Sequence, residues 1–247
     1  LKQLAVLVNG LQTLAPGLQL VALASPDLPT WRAGQLTLVR VRDSYDPYLR
    51  RAHFLAPTIT PTPNTVSLIS HDDTFAHVRV GDTLDLIVPI GNGFALDAST
   101  RRLLLVGAGA PAHLAPLIAL AHEATHQQIA VMLLVELAAT QNVSWLSQLL
   151  PLDVEYQIVP KLSTALPDLL RWTDQLCASL EPPRYASLKT LIADARLTTA
   201  MGFAQAVVAP PMVCGFGACL ACAVETTRGR PLACAHGPVF DLIDLVV

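Results

Sequence analysis

The stretch Cys214-Gly-Phe-Gly-Ala-Cys219-Leu-Ala-Cys222, followed after eleven residues by Cys234, constrains this chain more than any other. Three thiols within nine residues are too close for a helix or strand to aim them at one point. The backbone must loop, and Gly215 and Gly217 supply the positive-φ freedom that such a loop needs. Cys-x4-Cys-x2-Cys with a distant fourth Cys is the plant-type two-iron, two-sulfur (2Fe-2S) spacing. Structural zinc more often uses two separated Cys-x2-Cys or Cys/His knuckles, and only Cys219 and Cys222 form such a pair. Zinc, or cysteines that share no centre, are the alternatives. The loop carries no charged side chain, so its backbone N–H groups are free to donate to the sulfurs of an anionic cluster. Cys214, Cys219, Cys222 and Cys234 are the candidate metal ligands.

At 247 residues, 52% hydrophobic and 14% charged, the chain is long enough for two small domains with filled cores plus an appendage. A formal net charge of -3 gives no basic field, which argues against nucleic acid or an anionic membrane as partner. Five cysteines, with Cys177 outside the motif, and no signal-peptide pattern fit a reducing cytoplasm. The run Leu103 to Ala121 has a membrane-spanning length. It contains Gly107, Gly109, Pro111 and Pro116, however, and reads as a buried strand, a turn and the start of a helix, so no transmembrane segment is expected.

Short apolar or β-branched runs at Leu4–Asn9, Leu18–Leu23, Leu36–Arg42, Thr65–Ile69 and Leu84–Val88, punctuated by turn residues, predict a small antiparallel barrel over residues 1–96. From residue 97 to 209 strands alternate with helices: strands at Leu103–Val106, Ile129–Val135, Val154–Val159 and Ala204–Val208, and helices at Leu114–Glu123, Trp145–Leu149, Leu166–Leu176 and Tyr185–Arg196. That grammar predicts a parallel α/β sheet. Pro210-Pro211 marks a junction, and residues 210–247 form the cysteine module, with strands near Ala221–Thr226 and Leu242–Val246.

Barrel, α/β domain and C-terminal 2Fe-2S loop, in that order, carry further matching pieces. These are Ala33-Gly34-Gln35, Asp46-Pro-Tyr-Leu-Arg50-Arg51, the stretch from Gly81-Asp82 to Gly91-Asn92-Gly93-Phe94, and Gly237-Pro238-Val239-Phe240. Together with the cysteines they resemble the electron-transfer subunits of class 1B dihydroorotate dehydrogenase, within the ferredoxin reductase superfamily. The resemblance implies an FAD-binding barrel, a nicotinamide-binding α/β domain, and a cluster linking FAD to a separate FMN-containing catalytic subunit, with which it forms a heterotetramer. Electrons from dihydroorotate would pass through FMN, the cluster and FAD to NAD. Arg51, Thr74, Gly91 and Gly93 are the implied FAD-side residues. The pyrimidine chemistry would belong to the partner, so this chain is expected to be an electron-transfer subunit rather than the substrate-converting one.

Several positions depart from that pattern. Phe54 stands where the family has a Ser and cannot donate a hydrogen bond. His71-Asp72-Asp73-Thr74 replaces a Gly-x-Gly-Thr, placing two carboxylates where a diphosphate is expected. Pro111 and His113 interrupt the glycine-rich turn that starts at Gly107, and Cys177-Ala-Ser179 lacks the Gly and Pro of a Cys-Gly-Pro. Cys177 therefore reads as a small buried apolar residue. Glu136, at a strand end, suits either a ribose contact or a solvated carboxylate. His122-Glu123-Ala-Thr-His126 matches the zinc-hydrolase pattern by letter, but its helix ends there and no third ligand follows, so it reads as an exposed helix end. His71, His77 and His113 show no comparable pairing, and His236 reads as a turn residue. These departures keep a second reading open: a non-catalytic 2Fe-2S scaffold or relay subunit of a larger complex that has lost flavin and nicotinamide binding.

Overall fold

The computed structural model describes residues 1–41, 49–59, 62–71, 73–137, 143–196 and 200–247. Asp46 to Tyr48 of the Asp-Pro-Tyr-Leu motif, Arg42 and Asp72 lie outside the described residues. Six strands, β1 (Lys2–Ala15), β2 (Leu18–Ala24), β3 (Leu36–Val41), β4 (Arg51–Ala56), β5 (Thr65–Ser70) and β6 (Thr83–Ile90), close into an antiparallel barrel in the order β1-β2-β5-β4-β3-β6. Alternating side chains such as Val6, Val8, Val21, Leu23, Leu84 and Leu86 fill its interior, and Phe75 is buried among them. β4 has no counterpart among the predicted strands. Its exposed start, Arg51-Ala52, leaves only a short buried end, Leu55-Ala56, in place of the longer apolar runs that mark the predicted strands.

The second sheet has the order β12-β11-β10-β7-β8-β9. β7 (Arg102–Ala108), β8 (Ala130–Glu136), β9 (Glu155–Val159), β10 (Gln175–Ser179) and β11 (Ala204–Val207) are parallel, and β12 (Val239–Asp241) is antiparallel to β11. The helices are α1 (Ala115–His126), α2 (Leu146–Leu149), α3 (Leu166–Trp172), α4 (Arg184–Ala195) and α5 (Ala233–His236). α1 packs on one face among Leu103, Leu105 and Leu133, while α3 and α4 cover the other beside Leu104, Val106 and Leu176. The apolar run from Leu103 is a strand, a turn and a helix, as its glycines and prolines predict. Among the described residues no helix is long and apolar enough to cross a membrane.

Three expectations need correction. The helix predicted to reach Leu176 stops at Trp172: Thr173 Oγ1 donates to the carbonyls of Arg102 and Gln175, and the chain turns into β10. All five residues of that central strand are buried, yet Gln175-Leu-Cys-Ala-Ser179 is poor in β-branched residues and hides its strand character. In the cysteine module, Ala221–Thr226 is no strand. Isolated bridges such as Ala223 with Leu232 replace it, because the chain wraps around the thiols. The final strand is Val239–Asp241, and Leu242–Asp244 is a single 3-10 turn capped by Asp241, whose Oδ1 accepts the Ile243 N–H at 3.1 Å.

Candidate iron–sulfur centre

The loop that follows Val213 folds as its glycines dictate. Gly215 (φ 78°) and Gly217 (φ 86°) both adopt the left-handed conformation. A side chain at Gly215 would press at 3.0 Å on Leu38 and Ile90, so glycine also lets the loop lie directly on the barrel. The loop then meets the stretch that supplies the fourth cysteine: Ala233 N–H donates to the Cys222 carbonyl at 2.8 Å, at the start of α5.

This wrapping brings Cys222 and Cys234 together and sets Cys214 and Cys219 in the same loop, although among the described residues no three potential ligands are gathered into a ready metal site. Cys222 and Cys234, both buried, hold their sulfurs 3.3 Å apart. The exposed Cys219 thiol helps lower Cys214, and Cys214 in turn acts electrostatically on Cys234. Burial alone would push the Cys214 thiol up, but the backbone N–H groups of Phe216, Cys219 and Ala218, with the Cys219 thiol, lower it to about 6. Burial and the neighbouring Cys222 push Cys234 up to about 12, opposed by the Gly217 N–H. No pair is joined as a disulfide. Two thiol pairs with peptide N–H groups directed at sulfur are what a 2Fe-2S cluster requires, since each iron takes two thiolates and the amides offset the cluster's negative charge. Phe216 and Leu220, 63% and 65% exposed, flank Cys219 on the open side of the loop.

The four flavin-side candidates fall in two places. The antiparallel register, with Leu55 opposite Leu68, puts the start of β4, with exposed Arg51, and the end of β5, which leads to buried Thr74, at the same end of the β4–β5 pair. Gly91 and Gly93 lie past the end of β6, where Leu36 pairs with both Ile90 and Phe54. Val39 pairs with Arg51, three residues further along β3 and so about 10 Å away. Gly91 (φ 77°) packs its backbone against the Gly237 carbonyl, and a Cβ at Gly93 would sit 2.7 Å from the Ala33 oxygen. Between them Asn92 donates to the carbonyls of Val239 and His236 and accepts the Val239 N–H. The Gly-Asn-Gly-Phe motif was legible, but this use of it as a clasp was not, because its partners are more than 140 residues away.

On the α/β side, Cys177 is completely buried in β10 and burial pushes its thiol up, as the apolar reading predicts. The His-Glu-x-x-His letters have a structural use and are not a bare exposed helix end. His122 Nε2 donates to the Leu149 carbonyl at 2.8 Å, and Glu123 Oε1 accepts the Ala33 N–H at 2.5 Å, tying α1 to α2 and to the barrel. Glu136 is partly exposed but not free. Its Oε1 pairs with Arg184 at 2.6 Å and its Oε2 accepts the Leu162 N–H at 2.7 Å. The rings of His71 and His113 lie with centroids 6.5 Å apart in an edge-to-face arrangement.

The family model for the iron–sulfur cluster binding domain of dihydroorotate dehydrogenase B matches residues 210–246, the segment that holds both thiol pairs. The electron-transfer subunit of dihydroorotate dehydrogenase B (NAD(+)) from Streptococcus pneumoniae serotype 4 is 26% identical over 247 aligned positions, covering 93% of this chain and 95% of the relative. The corresponding subunit of a Geobacillus species is 25% identical, covering 87% and 86%. Over most of its length this chain is similar to those electron-transfer subunits. The fold agrees with that kinship. The structure of an NADH-dependent reduced ferredoxin-NADP oxidoreductase superposes with a TM-score of 0.72 over 98% of this chain and 89% of its own, at 19% identity. Phthalate dioxygenase reductase does so with a TM-score of 0.63 over 94% of each, at 13% identity. The antiparallel barrel followed by a parallel α/β sheet is thus a ferredoxin-reductase-like fold.

Proposed function

We propose that this chain is an electron-transfer subunit that passes electrons between a flavin-containing catalytic partner, of the dihydroorotate dehydrogenase kind, and NAD, through a 2Fe-2S cluster and FAD. The observation that carries the reading is the convergence of Cys214/Cys219 and Cys222/Cys234 as two thiol pairs inside the segment matched by the cluster-binding model. Those four residues are the proposed iron ligands. A bound cluster would accept and release one electron at a time, the chemistry needed to couple two flavins.

The chain's own residues set the conditions for that transfer. Amides of Gly217, Phe216 and Ala218 offset sulfur charge, and the buried Cys222/Cys234 side keeps water from that half of the centre. Gly215 seats the loop on Leu38 and Ile90, which fixes the thiols against the barrel. Arg51 and Thr74 are the proposed contacts to FAD, with Gly91 and Gly93 shaping the backbone beside it. Partner FMN, a heterotetrameric assembly and a cytoplasmic setting complete the proposal, supported by the relatives' description as electron-transfer subunits.

One observation favours the alternative of a 2Fe-2S relay scaffold without flavin: the turn carrying Gly91 and Gly93 is filled by contacts to Gly237, Ala33 and Arg32. Anaerobic titration with NADH, followed in the visible spectrum, separates the two. Bleaching of flavin and then cluster absorbance is expected of the electron-transfer subunit. A protein that carries a cluster, lacks flavin and does not respond to NADH is the scaffold.

A further inference from the structure

We infer that the cavity at the amino edge of the α/β sheet binds anions made of two or three linked phosphates, at a site separate from that of any dinucleotide. β7 begins at Arg102 and β10 at Gln175, which lies opposite Leu103, so Arg101, Arg102 and Asp174 stand together where these strands start. α3 ends on the same side at Trp172, just after Arg171, and α4 ends at Ala195, just before Arg196. The cavity between them has a volume of about 680 Å³, and all four arginines line it with a single carboxylate, that of Asp174. Dinucleotides of parallel α/β sheets bind at the opposite, carboxyl ends of the strands. The seven residues of β7, from Arg102 to Ala108, put about 20 Å between the two edges.

In a chain whose formal net charge is -3, this is a local concentration of positive charge. The excess is more than a single phosphate, with about two negative charges, would neutralise, and a di- or triphosphate matches it. Asp168 stands 4.0 Å from Arg171, but the two side chains are 88% and 76% exposed, so water screens that pair. The other three guanidiniums are held in place. Arg102 donates to Asp174 at 2.9 Å and lies 6.0 Å from the Trp172 ring centroid. Arg101 donates through one nitrogen to the carbonyls of Ala98 and Thr100. Arg196 donates through one nitrogen to the carbonyls of Leu170 and Thr173, and it sits 4.2 Å over the Phe203 ring. A guanidinium carries more N–H donors than these bonds use, so each keeps some for a ligand. The Ser99 and Thr173 hydroxyls are already engaged, with Asp97 and with the carbonyls of Arg102 and Gln175, which leaves the arginines as the donors. Guanidiniums fixed in this way lose little freedom on binding, and phosphate oxygens take charge-assisted, bidentate bonds from them. Capping of α3 accounts for Arg196, and the tie to Asp174 accounts for Arg102. Neither calls for Arg171 or the Arg101 side chain on the same cavity.

Calorimetric titration of the full chain, purified without air, with phosphate, pyrophosphate and tripolyphosphate at constant ionic strength tests this without reference to turnover. One site per chain is expected, at least about tenfold tighter for tripolyphosphate than for phosphate, the equivalent of one charge-assisted hydrogen bond, and weaker as NaCl is raised. Arg171→Gln, at a mostly solvated position, is expected to weaken tripolyphosphate by about tenfold while leaving the thermal midpoint of the ligand-free protein unchanged. Lys161→Gln, beside Glu136 at the carboxyl edge, is expected to leave tripolyphosphate binding as it is. ATP distinguishes the sources of such an anion. ATP binding tighter than that of tripolyphosphate, and weakened by Arg171→Gln to the same degree, assigns the cavity to a nucleotide, whereas weaker ATP binding assigns it to inorganic polyphosphate. Tripolyphosphate that does not bind saturably overturns the inference. So does binding that Lys161→Gln weakens and Arg171→Gln does not, which would move the anion to the carboxyl edge. Neither result bears on the nicotinamide reading, which the NADH titration tests separately.

Discussion

Asn92 and Val239 exchange two hydrogen bonds across 147 residues of sequence. Asn92 Nδ2 donates to the Val239 carbonyl at 2.9 Å, and Val239 N–H donates to Asn92 Oδ1 at 3.0 Å. The amide thus behaves like one rung of a β ladder, joining the end of the barrel to the strand that closes the α/β sheet. A third bond, to the His236 carbonyl at 3.1 Å, ties the same side chain to α5, which carries Cys234. Asn92→Ala leaves these partly buried groups unpaired and is expected to cost about 1–3 kcal/mol. Thermal unfolding of the cluster-loaded protein measures the cost, and faster loss of visible absorbance in the variant would place it at the cysteine module.

Gly91 adjoins this clasp and is intolerant for a separate reason. Its φ of 77° disfavours any side chain, and a Cβ would overlap the Gly237 carbonyl oxygen, a backbone atom that cannot swing away. Gly91→Ala is expected to destabilise the fold by at least about 1–3 kcal/mol. Gly17→Ala provides the comparison: its φ is also positive, at 73°, but a Cβ there meets nothing within 4 Å, so only the backbone strain is felt. Denaturant unfolding of the two variants, with equal losses, would contradict the close-packing account.

Glu123 and His122 give stability a dependence on pH. Burial raises the Glu123 carboxyl above its ordinary value, opposed by the Ala33 N–H and Arg32. A carboxyl raised on folding adds stability at pH below its unfolded value, and that contribution is lost as pH rises through the folded value. Glu123→Gln keeps an acceptor for Ala33 without a charge to desolvate. It is therefore expected to be more stable than the parent at neutral pH, with the difference shrinking as pH falls. Burial lowers His122, partly offset by its bond to Leu149. Its contribution is present above the ordinary histidine range near 6.5 and is lost as pH falls below it, so His122→Gln should flatten that part of the profile. Unfolding free energies measured across pH 4 to 8 check both signs.

Cys222→Ser replaces a soft thiolate, buried 3.3 Å from Cys234, with a hard oxygen ligand. Loss or marked lability of the cluster is expected. Iron and acid-labile sulfide contents equal to those of the parent would contradict the assignment of Cys222 as a ligand. Cys177→Ser, inside β10 and away from the motif, is expected to leave both contents unchanged.

What was legible in the sequence follows from how local each cause is. The cysteine loop is set by spacing and two glycines, and both glycines take the conformation that a short loop demands. Strands made of short apolar runs between turn residues, such as β2, were visible for the same reason. β4 and β10 were not, since one has a polar start and the other is a fully buried segment of small and polar residues whose strand state is imposed by β7 and β11. Glu123 read as part of an exposed helix end because its partner, the Ala33 amide, lies 90 residues earlier. Glu136 was ambiguous between ribose and solvent. Arg184 and Leu162, which occupy it, come from elements that only the parallel sheet brings alongside.

The most direct test of the central claim is the content of iron, acid-labile sulfide and zinc in protein purified without air. The two thiol pairs predict about two iron and two sulfide per chain, with no zinc. A colourless protein containing about one zinc and no sulfide would contradict the account at its root.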